Sequence, residues 1–368
     1  MKSFQNIFDG KKVLITGHTG FKGSWLSMWL FNLGAKITGI SLDIPTQPSN
    51  FEASELGTIL DDHRVDIRDS KRIDRILEDS NPDFVFHLAA QSIVRYSYEN
   101  PLETISINAL GTATLLDGLR KLKKNIVAVI ITSDKAYDNV EWVWGYRETD
   151  SLGGKDPYSA SKGMAELAIR AYFESYFKSP DSNVRIGIAR AGNVIGGGDW
   201  AENRIVPDCM KAWSCGDEVS IRNPNSTRPW QHVLEPIGGY LVLGAKLALQ
   251  PEVHGQSFNF GPPAEQNYSV DDLISEMGKY WDNARWKKDS IESRPLHEAG
   301  LLKLNCDKAL FDLNWKPTMD FGDTVRMTVE WYREFYEGNR ISMRKFTIAQ
   351  INEYTQLAQS KNMSWTIL

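Results

Sequence analysis

The chain has 368 residues, which is enough for two domains or for one enlarged domain. Its composition, with 42% hydrophobic and 24% charged residues and a net charge of −5, is ordinary for a globular protein and gives no general attraction to nucleic acid or membranes. The first ten residues lack the apolar core of a signal peptide, no apolar run could cross a bilayer, and the three cysteines have no zinc-binding spacing. We therefore expect a cytoplasmic protein with no nucleic-acid partner, no membrane contact, no disulfide framework and no metal site.

The first segment of the chain has the pattern of a strand, a glycine turn and a helix. Residues 12–16 form a β-branched apolar run, which is typical of a strand buried on both faces. Glycines follow at steps of three, and apolar residues then recur at helical spacing from 24 to 33. Glycines let the backbone approach a pyrophosphate, and the amides at a helix start favour anionic oxygens. The predicted cofactor-binding residues of this turn are Gly17, Thr19, Gly20, Phe21, Lys22 and Gly23.

A second strand pattern covers residues 36–42 and ends at Asp43, twenty residues after Gly23. At this distance a carboxylate can accept hydrogen bonds from the ribose of a dinucleotide. No Arg or Lys lies between Asp43 and Asp61, so the segment favours NAD over NADP. The alternative is a turn whose glycines only ease packing, but the flanking strand, helix and carboxylate favour the dinucleotide.

Two further strands are predicted before residue 90. Residues 64–67 form the first, in which Asp66, next to Ile67, could bond the adenine amino group or could be a solvated turn carboxylate. Residues 83–88 form a buried strand that ends in small residues, which leave room for a ligand above the sheet. We assign cofactor contacts to Asp66, Ile67, Leu88, Ala89 and Ala90, and a substrate contact to Gln91.

A long helical pattern covers residues 98–122 and contains Asn108, an amide that is a poor helix former. The amide could bond the backbone, help to position the catalytic group or simply be tolerated. Residues 126–131 form the next strand and deliver Thr132, Ser133, Asp134 and Lys135. The repeated alternation of strands and helices predicts an α/β fold with a doubly wound parallel Rossmann sheet.

The segment 140–156 has loop composition and contains Trp142 and Trp144, which either cover the active site or form a local hydrophobic clasp. A helix follows, in which Tyr158 and Lys162 are four residues apart and therefore project from one face. A strand over 184–189 comes next.

The alternation of strands and helices breaks at residue 193. Residues 193–232 are rich in Gly, Pro, Trp and Arg, as in loops that clasp a ligand. A helix over 239–249, a strand over 257–260 and helices over 269–280 and 322–336 follow, and the polar tail after 339 is left unassigned. We expect a dinucleotide-binding domain of residues 1–192 and 233–257. Residues 193–232 and 258–368 would form a smaller, mixed α/β substrate-binding domain.

Tyr158 has the chemistry of a general base if its pKa is lowered from the reference value of about 10. The ammonium of Lys162 and a positive nicotinamide ring would both favour the phenolate, and Lys162 could also bond the nicotinamide ribose. Ser133 or Thr132 could hold a substrate hydroxyl for Tyr158. A tyrosine, a lysine and a hydroxyl group arranged in this way can remove the proton of an alcohol while a hydride leaves the carbon that carries it.

Four segments resemble the extended short-chain dehydrogenase/reductases, namely residues 16–23, 87–91, 132–133 and 158–162. The resemblance covers nearly the whole chain and is least clear beyond about residue 340. Within that family the chain is most similar to nucleotide-sugar 4,6-dehydratases that act on CDP-sugars, through residues 133–137 and 141–148. Related dTDP-glucose dehydratases have Asp-Glu where this chain has Asp134-Lys135, so a glutamate base is excluded here.

The resemblance implies NAD that stays bound through turnover and a CDP-sugar substrate. In the implied reaction the C4 hydride passes to NAD and returns to C6 after water is lost, which leaves a 4-keto-6-deoxy sugar. Lys135, as a neutral amine in a desolvated site, would remove the C5 proton, and a protonated Asp134 would donate to the departing 6-hydroxyl. The alternative is that Asp134 and Lys135 form a structural ion pair.

The diphosphate of such a substrate needs local donors, and planar guanidinium groups suit phosphate oxygens. We assign this role to Arg228 and Arg204, either of which could instead be a surface residue. Asn193 resembles the diphosphate-binding Asn of the family.

Members of the family also pair helices between two subunits. The apolar faces of residues 102–119 and 164–172 would therefore form a helix bundle in a homodimer, or they would cover the sheet of one subunit. The resemblance further implies deoxysugar biosynthesis for O-antigen.

Two other functions compete with dehydration. A nucleotide-sugar 4-epimerase would use Tyr158 and NAD but would not need an acid–base pair over C5 and C6. A dinucleotide-sensing protein without catalysis could dispense with Tyr158 and Lys162, so the intact pair argues against it.

Overall fold

The computed structural model describes residues 3–221, 223–288, 301–338 and 342–367. Within these ranges the strands are β1 (Lys12–Thr16), β2 (Lys36–Ser41), β3 (Asp61–Arg64), β4 (Phe84–His87), β5 (Ile126–Ile131), β6 (Val184–Ala191), β7 (Val194–Ile195), β8 (Val219–Ile221), β9 (Thr227–Arg228), β10 (Gln231–His232), β11 (Ser257–Phe260), β12 (Tyr268–Ser269) and β13 (Trp286–Lys288). The α-helices are α1 (Phe21–Asn32), α2 (Asn50–Ala53), α3 (Ser70–Ser80), α4 (Val94–Glu99), α5 (Pro101–Ile105), α6 (Gly111–Leu119), α7 (Pro157–Tyr172), α8 (Ile205–Ser214), α9 (Leu234–Leu249), α10 (Val270–Met277), α11 (Asp307–Leu313), α12 (Phe321–Glu337) and α13 (Met343–Ser360).

Seven parallel strands form the central sheet in the order β11-β6-β5-β4-β1-β2-β3. The strand order reverses between β1 and β4, so a crevice opens at the carboxyl ends of these two strands. Successive side chains of β1 alternate between the two faces of the sheet: Val13 and Ile15 belong to one hydrophobic cluster and Leu14 to the other. The doubly wound Rossmann fold predicted from the sequence is confirmed.

Helices cover both faces of the sheet. Helices α1 and α9 contribute Trp25, Trp29 and Tyr240 to the cluster on one face. Helices α3, α6 and α7 cover the other face, where Leu115 and Ile169 are fully buried. None of the described helices is both long enough and apolar enough to span a membrane.

Two predicted elements differ from the structure. The strand expected at residues 64–67 lies three residues earlier, at β3, because the polar segment Asp61–Arg64 pairs with β2 and Asp66 follows in a turn. The segment 193–232, expected to be loops, contains helix α8 and four short strands. Val206, Met210 and Trp213 of α8 are buried at helical spacing, a signal that the surrounding glycines and prolines obscured.

The long helix predicted over 98–122 is interrupted by a π-helical turn at Ser106–Leu110, between α5 and α6. Asn108 lies in this turn. A widened turn inside an α-helix often marks a functional site because it redirects a side chain that a regular helix would point elsewhere.

The tail that the sequence left unassigned forms α13, which packs against α1 and α12. Tyr354 of α13 contacts Trp29 of α1 edge-to-face, with ring centroids 5.6 Å apart. The boundary between two domains therefore stays a prediction, since a helix assigned to the second domain covers an element of the first.

Glu235 of α9 is a buried carboxylate that joins three parts of the chain. It accepts hydrogen bonds from the amides of Thr318 and Met319, at 2.6 to 3.0 Å, and from the Tyr354 hydroxyl at 2.9 Å. Burial raises the pKa of Glu235 to about 7, although these hydrogen bonds favour the charged form.

This pKa predicts a pH-dependent stability. Between pH 4.5 and 7 the folded protein binds more protons at Glu235 than the unfolded chain, so the free energy of unfolding should fall as the pH rises through this range. The uncharged Glu235→Gln variant lacks this linkage. In urea denaturation at pH 5 and pH 8 we expect the wild type to lose about 2 kcal/mol more than the variant. Parallel pH profiles would contradict the assignment.

Candidate active site

The glycine turn has the shape of a phosphate-binding loop. Gly17 has φ +77°, and a Cβ added there would lie 2.8 Å from the amide nitrogen of Ala89, while one at Gly23 would lie 2.0 Å from the carbonyl oxygen of Gly17. A Cβ at Gly20 would meet only that carbonyl, at 3.4 Å. Two of the three glycines are thus required by the fold, whereas Gly20 leaves open space where a ligand would approach.

Gly20 is also the N-cap of α1; it has no side chain that could cap the helix amides, and the first turn of the helix contains no acidic residue. Anions therefore find free donors at this helix end. Thr19 donates to the backbone carbonyl of Asp43 at 2.6 Å, which ties the turn to the segment after β2, and Asp43 is exposed. Phe21 lies beside Gly196 across the crevice.

Lys22 lies among the catalytic candidates rather than in solvent. Burial lowers the pKa of Lys22 to about 8; the negative charge of Asp134 opposes this shift, and the positive charge of Arg204 adds to it. The lysine therefore faces the carboxyl end of β5, where the sequence places the reaction.

Asp66 and Ile67 follow β3. Arg68 binds both carboxylate oxygens of Asp66, through Nε at 2.9 and 3.1 Å, and these bonds lower the pKa of the carboxyl. Ile67 is buried against Gly111 of α6. The adenine contact assigned to Asp66 and the cofactor contacts of Leu88, Ala89 and Ala90 after β4 stay predictions.

Asn108 and Gln91 form a polar pair beside the crevice. The Asn108 amide accepts from the Gln91 backbone nitrogen at 2.8 Å and donates to the Gln91 carbonyl at 3.0 Å and to the Ser161 hydroxyl at 2.8 Å. It therefore bonds the backbone just after β4 and links it to α7, so the polar residue is not merely tolerated, and a part in positioning the catalytic group stays a prediction. The Gln91 side chain bonds Thr104 and the backbone of Ile93, and its substrate contact stays a prediction.

The two hydroxyls at the end of β5 point to different partners. Thr132 donates to Glu166 at 2.5 Å. Ser133 donates to Asp134 at 2.9 Å and lies within hydrogen-bonding reach of the Tyr158 hydroxyl. Of the two candidates for holding a substrate hydroxyl beside Tyr158, the structure therefore favours Ser133, whereas Thr132 belongs to a buried network.

Tyr158 and Lys162 lie on one face of α7, and the Lys162 Nζ is 5.9 Å from the centre of the Tyr158 ring. Burial raises the pKa of Tyr158 to about 12, while the contact with Ser133 and the positive charge of Arg204 oppose this shift. Burial also lowers the pKa of Lys162 to about 8, with a further contribution from Lys22. Among the charges near Tyr158, that of Asp134 raises its pKa and that of Arg204 lowers it, and the part expected of Lys162 stays a prediction.

Asp134 and Lys135 begin a short 3₁₀ turn capped by the Ser133 side chain, which accepts from the Lys135 amide at 3.2 Å. Burial raises the pKa of Asp134, although Lys135, Ser133 and Lys22 all favour the carboxylate. A buried carboxyl with a raised pKa is suited to donate a proton.

The three predicted phosphate ligands come from three different segments of the chain. Asn193 follows β6 by two residues and is half-buried. Arg204 precedes α8 and pairs with Asp199 at 2.7 Å, which raises the pKa of its guanidinium. Arg228 lies in β9 and donates to the backbone carbonyl of Thr227 at 2.8 Å.

A small pocket opens between the end of the sheet and the C-terminal part of the chain. Asp134 and Gly192 line it on the sheet side. The opposite wall comes from segments after β9 and β11 and from residues 302–304; the lining residues there are Pro229, Gln231, Gly261, Pro262, Pro263, Ala264, Gln266, Leu302, Lys303 and Leu304.

A buried network of charges and hydrogen bonds, which was not predicted from the sequence, lies next to these residues. Arg190 of β6 pairs with Glu166 of α7 at 2.8 and 2.9 Å, and both side chains are 4% exposed. Arg190 also donates to the Tyr137 hydroxyl at 2.7 Å, and Tyr137 donates to Asn259 of β11 at 2.8 Å. The available signal was Glu166, four residues after Lys162 and therefore on the same helix face.

The two tryptophans of the loop after Tyr137 differ in burial. Trp142 packs against Tyr146, with ring centroids 5.2 Å apart, in a small cluster with Tyr137 and Leu302. Trp144 is 69% exposed. The loop thus forms a local clasp against residues 301–305, to which the Tyr146 backbone is bonded.

Comparisons with known proteins identify the family. The model of the family described as GDP-mannose 4,6 dehydratase matches residues 14–328. The chain belongs to this family. It is 46% identical over 339 residues to the CDP-glucose 4,6-dehydratase of Salmonella typhimurium, which covers 91% of this chain and 94% of that protein. The resemblance to nucleotide-sugar 4,6-dehydratases is therefore confirmed.

Solved structures support the same fold. A dTDP-glucose 4,6-dehydratase, DesIV from Streptomyces venezuelae, with NAD and TYD bound, matches with a TM-score of 0.71 and 23% identity, covering 88% of this chain and 97% of that one. A UDP-glucose 4-epimerase from Stenotrophomonas maltophila with bound NAD matches with a TM-score of 0.76 and 21% identity, covering 89% and 100%.

The buried network predicts a large stability loss when one charge is removed. In Arg190→Leu the Glu166 carboxylate stays buried without its cation, so we expect the free energy of unfolding to fall by about 3 kcal/mol or more in urea denaturation. Lys178→Leu is the control, because its pair with Glu174 is exposed and should contribute less than about 1 kcal/mol. Equal losses in the two variants would refute a structural role for the buried pair.

Proposed function

We propose that this protein is a CDP-glucose 4,6-dehydratase that converts CDP-D-glucose to CDP-4-keto-6-deoxy-D-glucose with NAD as a recycled cofactor. The observation that carries the proposal is the meeting of Ser133, Asp134 and Tyr158 at one end of β5, beside the pocket. The 46% identical relative, which is named for this reaction, supports the choice of nucleotide.

The chain fits a dinucleotide at the glycine turn, because Gly20 leaves open space at the uncapped start of α1. Residues 17–23 would hold the pyrophosphate, Asp43 the adenosine ribose and Lys162 the nicotinamide ribose. NAD, when bound, supplies the redox chemistry by taking the C4 hydride and returning it to C6.

The remaining chemistry comes from the side chains of the chain itself. Ser133 holds the 4-hydroxyl and Tyr158 accepts its proton, a transfer that Arg204 and a positive ring nearby promote by favouring the phenolate. The amine of Lys135 removes the C5 proton, which the 4-ketone has made acidic. Asp134, whose pKa burial raises, donates its proton to the departing 6-hydroxyl. A 4-epimerase would have no use for this last pair.

The diphosphate of the substrate would lie against Asn193, Arg204 and Arg228, which come from three segments of the chain. The division of the chain into a dinucleotide domain and a sugar-nucleotide domain belongs to the same proposal.

The proposal also includes a homodimer. The segment from α5 to α7 exposes Leu102 by 82%, Leu110 by 55% and Leu167 by 57%, and a second copy of the chain would cover these side chains. Sedimentation velocity measures this assembly. A cytoplasmic location and a place in O-antigen deoxysugar synthesis stay predictions.

The activity is tested by incubating the purified protein with NAD and CDP-glucose and analysing the sugar nucleotide by mass spectrometry and NMR. We expect a product lighter by one water, and none with Tyr158→Phe. An altered NMR spectrum at unchanged mass would instead establish an epimerase, and an unchanged sugar would favour a binding protein without catalysis.

The base assigned to C5 is tested by Lys135→Ala. We expect the variant to bind CDP-glucose like the wild type but to lose exchange of the C5 proton with solvent by about 100-fold or more, because the transferring amine is gone. Deuterium at C5 of the recovered sugar, measured by NMR after incubation in D₂O with NAD, reports this exchange. Lys155→Ala, at an exposed position, is the control. Undiminished exchange in Lys135→Ala would remove the lysine from the base role.

A further inference from the structure

Gln231 lies in the wall of the pocket and has no role in the chemistry described so far. It begins β10, which pairs in parallel with β7 so that Gln231 stands beside Val194, one residue after Asn193. The side chain is 2% exposed. A long polar side chain is buried to this extent only when its polar atoms have partners or when it serves a ligand.

One end of the Gln231 amide is fixed by the protein. The Nε2 atom donates to the backbone carbonyl of Phe260, at the end of β11, over 3.1 Å. Since a carbonyl accepts only from a donor, this bond determines which amide atom is nitrogen and which is oxygen.

The other end is unsatisfied. The Oε1 atom of Gln231 is buried and has no hydrogen-bond partner within the described ranges. Several other buried polar atoms share this condition, but Gln231 is the only residue among them that lines the pocket. Its oxygen is thus a buried acceptor without a donor, on a residue that lines the pocket.

The chemistry of the pocket limits what that donor can be. Ionised phosphate oxygens only accept, so they cannot satisfy Oε1. Asp134 lines the same pocket and, in the proposed function, acts at C6 of the hexose. The 4-hydroxyl is already held by Ser133 and Tyr158, and the C1 oxygen is esterified. The hydroxyls at C2 and C3 are the donors of the hexose to which the proposed function assigns no partner.

We propose that Gln231 is a substrate-binding residue whose Oε1 accepts a hydrogen bond from the C2 or C3 hydroxyl of the hexose. The inference rests on the proposed function, because it takes the position of the sugar from the roles of Tyr158 and Asp134. It assigns a contact that orients the ring: with one hydroxyl held from β10 and another from β5, the C4 to C6 edge is fixed towards the catalytic groups.

The test is binding to the full chain in the Tyr158→Phe background, which prevents turnover. Isothermal titration with CDP-glucose and with CDP compares this parent with the same chain carrying Gln231→Leu, which keeps the volume and removes the acceptor. We expect the affinity for CDP-glucose to fall about tenfold and the affinity for CDP to stay within twofold. CDP-2-deoxyglucose and CDP-3-deoxyglucose then identify the hydroxyl, because the analogue that lacks it should bind the parent about tenfold more weakly and lose nothing further in Gln231→Leu.

Gln350 of α13 provides a matched control. It is also 2% exposed, its Nε2 donates to the Met327 carbonyl at 2.8 Å, and its Oε1 is likewise buried without a partner, but it lies outside the pocket lining. Gln350→Leu should therefore leave the affinities for both nucleotides unchanged.

Three outcomes would overturn the inference: an affinity for CDP-glucose that is unchanged in Gln231→Leu, an equal loss for CDP and CDP-glucose, or a loss in Gln350→Leu as large as that in Gln231→Leu. Failure of the proposed function is a separate result, since it is read from the mass of the product formed by the protein with Tyr158 intact.

Discussion

The buried ion pair of Arg190 and Glu166 is the interaction on which the site depends. It joins β6 to α7 below the pocket and binds Thr132, the first residue beyond β5, through the same carboxylate. Ser133 and Asp134 follow directly on the chain, and Tyr158 lies two turns before Glu166 on the helix. A buried ion pair tolerates little displacement, because a charge that is shielded from water and separated from its partner is costly in free energy. The ion pair and its bond to Thr132 thus hold the catalytic groups in a rigid arrangement.

Desolvation is the largest influence on the pKa values of the candidate catalytic groups. The same removal of water lowers the pKa values of Lys22 and Lys162, which favours neutral amines, and raises those of Tyr158 and Asp134, which favours neutral acids. Lys22 and Lys162 are therefore held close to the balance between charged and neutral forms near neutral pH, whereas Tyr158 stays protonated unless a nearby positive charge favours its phenolate. This is the condition in which proton transfers between chain and substrate become feasible near neutral pH.

The sequence was most informative where a local pattern determines the structure. The apolar runs at β1, β4 and β5 and the glycine turn could be recognised because burial on both faces and a positive φ each leave a distinct residue pattern. Helix α8 was not predicted, because the surrounding glycines and prolines obscured its helical spacing, and the polar strand β3 was placed three residues too late, because its pairing with β2 determines its position. In the site, spacing identified Tyr158 and Lys162, but it could not show that Thr132 turns away to Glu166. Nor could spacing identify Gln231, because its significance comes from a buried amide oxygen that has no hydrogen-bond donor among the described residues.

The docking of α13 on α1 has a consequence for biosynthesis. Phe4, near the start of the chain, stacks on Trp365 near its end, with ring centroids 4.9 Å apart, and Trp29 lies against both Tyr354 and Trp365. While the polypeptide emerges from the ribosome, this side of the first helix is therefore left uncovered until residues 343–365 have been synthesised. The nascent chain must keep this aromatic surface from other contacts until then, more than 300 residues after α1 itself has been made.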